Sequence, residues 1–142
     1  MSKREKVLNA LFNKLSGLSD IPVKRNDPLP QKIPSSGLVV LRDGKLGEPE
    51  VILSPPLFIY QHEAEVEVIV QALRPEERDA QLDSIMGQIG TLLKADTTLS
   101  GTVDYVYPKA PEFLEEVIEG APTMKAAIIP IILEYASETA LT

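Results

Sequence analysis

From Tyr60 to Ala72 the sequence alternates with a period of two: Tyr60, His62, Ala64, Val66, Val68, Val70 and Ala72 fall on one face, and Glu63, Glu65, Glu67, Ile69 and Gln71 on the other. Side chains alternate across a β-strand and not around a helix, so the stretch predicts a strand. Its thirteen residues at about 3.3 Å each run roughly 43 Å. A chain of 142 residues packs to a diameter of about 40 Å. One strand is therefore expected to cross the whole molecule, with an acidic stripe along it.

The length fits one domain, residues 1–142, and a domain near this size buries roughly 70% of the surface of its unfolded chain. Cysteine is absent, which excludes disulfides, thiolate metal sites and cysteine nucleophiles. The longest apolar run, Ala126 to Leu133, is far short of the ~20 residues that span a bilayer, and Ser2 to Leu18 is charged and amphipathic, unlike a signal peptide. A soluble, cytoplasmic protein is expected. Charge is uneven: residues 1–50 hold nine Lys/Arg against six Asp/Glu, and residues 51–142 hold five against fifteen. Non-specific nucleic-acid affinity comes mainly from cations that release phosphate counterions, so the acidic body argues against direct DNA or RNA binding.

Ser2-Lys3-Arg4-Glu5 fits a capping box at a helix start. Behind it Val7, Leu8, Leu11, Phe12, Leu15 and Leu18 recur at helical spacing, and Gly17 supplies a stop. Residues 20–37 contain Pro22, Pro28, Pro30, Pro34 and Gly37, so a long basic loop is expected, with one short strand at Val23 to Arg25. Leu38 to Arg42, Asp43-Gly44 and Glu50 to Leu53 read as a β-hairpin with a long connection. The long strand follows from about Leu57.

Pro75 then suits the first turn of a helix whose positive end is complemented by Glu76, Glu77 and Asp79. Leu82, Ile85, Met86, Ile89, Leu92 and Leu93 line one side of it. Gly87 and Gly90 each cost about 1 kcal/mol against alanine in a helix, which suggests close approach of another backbone, the domain's own sheet before a subunit contact. Thr102 to Tyr107 alternates again, with Val103, Tyr105 and Tyr107 on one side. Phe113 to Ile118 fits either a short strand or one helical turn. Lys125 to Tyr135 is the expected last strand, where Pro130 marks an edge, a bulge or a strand end. The order predicts an α+β fold, a mainly antiparallel sheet packed by two amphipathic helices.

Little in this chain points to chemistry. His62 is the only histidine, and its sequence neighbours Tyr60 and Ala64 offer no ligand set or nucleophile, so a structural or surface role is favoured. Glu63, Glu65 and Glu67 share a strand face but lack a companion Asp-rich loop, so a calcium site is not expected. A solvated face is the plainest reading of the stripe. The alternative is a stripe that faces a channel or a neighbour in a ring, paired with cations such as Lys24, Arg25, Arg74 and Arg78. There is no Gly-rich phosphate loop, Gly-x-Ser-x-Gly elbow or His-Glu-x-x-His helix. No catalytic, cofactor or metal residue is assigned, and an enzyme using His62 with Glu63 or Glu65 ranks last.

The N-terminal amphipathic helix, the Pro-rich basic loop, the Glu-rich alternating strand, Arg74-Pro75 before the second helix, Gly120-Ala121-Pro122, the run Ala126 to Ile131 and Tyr135 together resemble the tail terminator proteins of long-tailed bacteriophages, in the versions carried by Mu-like prophages. The resemblance covers nearly the whole chain and rests on pattern, without a diagnostic motif. It implies a non-enzymatic α+β protomer in a homohexameric ring. That ring would cap the tail tube, stop its polymerisation and offer a surface to head-completion proteins, forming in the host bacterial cytoplasm and residing in the virion tail. Independently, the basic first third and the acidic body are complementary patches on one chain, so Lys24, Arg25, Lys32 or Arg42 of one subunit is expected near carboxylates of the next. A non-enzymatic oligomeric adaptor of a bacterial secretion or contractile apparatus would share these features.

Overall fold

A computed structural model describes residues 1–28, 32–117 and 122–142. The fold is α+β, with two helices on one face of a seven-stranded, mostly antiparallel sheet. Helix α1 spans Lys3–Leu15 and α2 spans Pro75–Ala95; the strands are β1 Val23–Arg25, β2 Leu38–Lys45, β3 Glu50–Ile52, β4 Leu57–Ala72, β5 Tyr105–Pro108, β6 Glu112–Glu116 and β7 Thr123–Ser137. The sheet runs β1-β2-β4-β7-β5, with β3 also on β4 and β6 also on β7. The Gly120-Ala121 part of the sequence pattern and the end of the Phe113 to Ile118 stretch lie outside the described residues.

The centre is the pair β4 and β7, antiparallel and in unbroken register from Phe58 opposite Ser137 to Ala72 opposite Thr123. As the alternation predicts, Tyr60, His62, Ala64, Val66, Val68 and Val70 are all buried under the helices. They meet Val7, Leu8, Leu11 and Leu15 of α1 and Leu82, Ile85, Ile89 and Leu93 of α2. Complete burial of one such side chain contributes about 1.5–3 kcal/mol, so each helix is held to the sheet chiefly by its apolar stripe. The α1 start is capped by Ser2, whose hydroxyl accepts from the Glu5 amide at 3.1 Å. The reciprocal half of the box is missing because the Glu5 carboxylate is taken by Arg25.

The expected hairpin between Leu38–Arg42 and Glu50–Leu53 does not form. Strands β2 and β3 both pair with β4, as successive pieces of one flanking strand. Asp43-Gly44 makes a bulge there instead of a reversal, with the register slipping between Arg42 and Lys45. Gly44 has φ +70°, and a Cβ placed on it would lie 2.0 Å from the Glu63 carbonyl oxygen. The backbones are too close for any other residue.

The far flank repeats the device. Strands β5 and β6 lie end to end along β7, and Lys109 N–H reaches Pro130 O at 2.8 Å at their junction. In an antiparallel ladder one residue's N and O point to the same side, so the missing Pro130 donor faces that junction. Pro130 is thus the bulge alternative, inside a central strand and not at its edge or end. The stretch Glu112–Glu116 is strand and not helix. In β5 the inward residue is Val106, whereas Tyr105 and Tyr107 face the side away from the helices, their rings 5.5 Å apart. Val103 is buried in the turn before the strand, so it does not share their face.

The glycines of α2 also depart from expectation. A Cβ at Gly87 or Gly90 would meet nothing within 4 Å, so no backbone among the described residues approaches them. Substitution Gly87→Ala is therefore expected to raise stability by about 0.5–1 kcal/mol. Gly44→Ala is expected to lower it by about 2–4 kcal/mol, and Gly47→Ala, with positive φ but only an ordinary contact to the Gln61 carbonyl oxygen at 3.9 Å, by about 1 kcal/mol. Urea denaturation of the three variants would check the order.

Candidate functional site

The sheet has two unlike faces. One is covered over its centre by the helices. The other carries odd-numbered residues of β4 and even-numbered residues of β7, and among the described residues no helix packs on it. A small cluster of Ile33, Leu38, Val40 and Ile69 covers one corner. Across the rest run Glu63, Glu65 and Glu67 on β4, opposite Ile132, Pro130 and Ile128 of β7. Toward β6 this face opens into a shallow trough of about 380 Å³ lined by Ile69, Leu114, Met124 and Ile128 with the carboxylates of Glu67 and Glu116. The surface therefore combines an acidic row with an apolar row, a composition suited to contact with another macromolecule.

The structure brings much of the expected interface set together within one chain. Arg42 reaches Glu67 at 2.9 Å, and Lys109 lies 3.5 Å from Glu63. The acidic stripe is thus partly balanced from inside, and Glu65 lies between these pairs on the same face. Arg25 is clamped by Glu5, Asn9 and Asp43, with Nη1 to Asn9 Oδ1 at 3.2 Å and Nη2 to Asp43 Oδ1 at 3.1 Å. Glu5 and Asp43 hold its guanidinium above its ordinary pKa, Glu5 most, against the opposing effect of burial. The clamp fastens the β1 edge to α1 and to the β2 bulge.

Arg78 is only 5% exposed. It donates from Nη1 to Ala72 O at 2.8 Å and from Nη2 to Glu115 at 3.3 Å, tying the end of β4 to α2 and β6. Its role is internal bracing. Arg74 pairs with Glu76 and Glu77 beside it, and such exposed pairs contribute little. Lys24 contacts Asp27 at 3.5 Å with both side chains well exposed, and Lys32 is exposed.

His62 is 1% exposed, and both ring nitrogens are engaged. Nε2 lies 2.6 Å from the Asp43 carbonyl oxygen. A carbonyl only accepts, so Nε2 carries the proton, and Nδ1 accepts from the Tyr135 hydroxyl at 2.9 Å. Desolvation, the largest cause, lowers the His62 pKa below 6.5, and burial pushes Tyr135 up to about 12. A neutral, fully bonded imidazole here fixes the bulge at Asp43 to β4 and β7. Neither partner is adjacent in sequence: Tyr135 enters through the β4–β7 register and Asp43 through the bulge. The exposed side chains Phe113, Leu114 and Val117 were also unmarked by any motif, since a short, two-sided apolar segment gives no clear period.

Among the described residues no group of three or more His, Asp or Glu is placed to hold a metal ion, and no helix is long and apolar enough to cross a membrane. No family model matches this sequence, and no curated protein matches it. Among solved structures, a chain of a particle described as "Virion of native gene transfer agent (GTA) particle" is similar over 90% of this chain and 94% of that chain, at 10% identity and a TM-score of 0.45.

Because the folded state holds His62 neutral while the unfolded chain protonates near pH 6.5, stability should be greatest above that pH. It should fall as pH drops, then level off below the folded-state pKa. NMR titration of this single histidine should give a midpoint below 6.5. Tyr135→Phe, which removes the donor to Nδ1, should cost about 1–2 kcal/mol by thermal or urea unfolding.

Proposed function

We propose that this protein is a structural component of a long-tailed phage or prophage, a tail terminator whose copies form a ring on the tail tube. In that role it would halt tube growth and present a surface to head-completion proteins, without catalysing a reaction. The observation that carries the reading is a sheet face about sixteen residues long in β4 with no helix upon it among the described residues. A monomeric α+β domain keeps one face of such a sheet for solvent and makes it polar throughout. Here the face joins an acidic row to the half-buried Ile128, the buried Ile69 and Ile132, and an apolar trough. The sequence pattern described above supplies the tail-terminator part.

Chemistry finds little support beside it. The sole imidazole is buried between Asp43 and Tyr135, away from any open cleft. The acidic stripe fits a surface past which DNA travels without adhering, because fixed carboxylates repel phosphates.

Light scattering or native mass measurement of the purified protein should give a hexamer, alone or on tube ends, and addition to polymerising tail tubes should stop their extension. High salt should loosen the ring, since exposed charge pairs are screened. A ring that ignores tube ends would favour the adaptor of a secretion or contractile apparatus. A single chain that binds no tube at any practical concentration would remove both.

A further inference from the structure

The two edges of the sheet match rank for rank. Lys24 of β1 pairs with Val40, Val40 with Glu67, Glu67 with Ile128, and Ile128 with Glu112 of β6. The neighbouring rank runs Val23, Val39, Val68, Ala127 and Phe113. Lys24 and Glu112 therefore stand at the same height on opposite edges, both on the helix-free face. Val23 and Phe113 likewise share a height, on the helix face. Strand β1 is parallel to β2, and the steps β2 to β4, β4 to β7 and β7 to β6 are each antiparallel, so β6 runs opposite to β1.

Two identically oriented copies placed side by side would thus set β1 of one antiparallel to β6 of the other, the stronger ladder geometry. Since the matching residues are level, no slide along the strands is needed. A rotation without rise closes a ring, whereas a rise would produce a filament.

The β6 edge has the character of an acceptor. No strand pairs with its outer side among the described residues, and Glu112 to Val117 contains neither proline nor lysine, the usual protections of an exposed edge. Phe113, Leu114 and Val117 are 52%, 50% and 77% exposed, with Glu112, Glu115 and Glu116 among them. The β1 edge supplies the opposite charge in Lys24 and an apolar neighbour in Val23. Arg25 is already held by Glu5 and Asp43, so Lys24 is the cation left for exchange, its weak exposed contact with Asp27 being easily given up.

We propose that the Glu112–Glu116 edge of one copy takes the Val23–Arg25 edge of a second copy as an added antiparallel strand, with Lys24 beside Glu112 and Val23 against Phe113. This rests on the ring-forming reading and identifies which surfaces close the ring. It also sets every helix-free face on the same side of a continuous sheet.

The absence of cysteine makes the test direct. In a Lys24→Cys/Glu112→Cys variant, mild oxidation of the assembly, alone or on tube ends, should yield a ladder of covalent multimers that neither single variant gives. Independently, Lys24→Glu and Glu112→Lys should each raise the concentration for half-assembly at least about five-fold, and the charge-swapped double variant should recover it. Far-UV circular dichroism is expected to be unchanged, because both side chains are exposed. An assembled wild type that gives no ladder and is indifferent to both reversals overturns this inference and leaves the ring standing. A wild type that remains one chain with or without tubes overturns both.

Discussion

The long antiparallel register of β4 on β7 governs the remainder of the molecule. It fixes which residues of both strands face the helices, because a slip of one residue would turn every side chain to the other face. A slip would expose Tyr60, Ala64, Val66, Val68 and Val70 and bury the glutamates between them. The cost of burying those carboxylates without partners is prohibitive, so charge and apolar burial select the same register. The helices, the His62 bridge and both flanking strands then take their positions from it.

Both flanks of this central pair are built from two successive strands with a break between them. On one side Gly44 admits a bulge where the backbone nearly touches Glu63. On the other, Pro130 has no donor to offer, and the neighbouring strand leaves it between Pro108 and Glu112. The first break is fastened by Asp43, which serves His62 through its carbonyl and Arg25 through its carboxylate. One bulge residue thus links the buried imidazole, the β1 edge and α1.

That fastening also shapes the functional surface. Cations that seemed free for a neighbour are divided by the fold: Arg25, Arg42 and Arg78 brace the chain, while Lys24 and Lys32 stay outside. The helices cover most of one sheet face, leaving Phe113 exposed near its edge, and the second is left with acidic and apolar rows in contact. On the proposed reading, function resides in that face and in edges left unpaired among the described residues.

The sequence by itself determined the elements whose period is long and clean. The alternation of Tyr60 to Ala72, the apolar stripes of both helices and the strand near Lys125 to Tyr135 were legible because burial imposes a periodic demand on each residue in turn. Tertiary structure decided the rest. Asp43-Gly44 reads locally as a turn, yet the nearness of β4 makes it a bulge. Gly87 and Gly90 read as a close approach, yet nothing among the described residues comes within 4 Å of an added Cβ there. The partners of His62 and Arg25, and Glu115 as a partner of Arg78, come from 16 to 73 positions away in the chain, and no local pattern encodes a meeting that depends on how separate strands align. The pairing of Lys24 with Glu112 in height belongs to the same class, since it exists only once five strands have been laid in register.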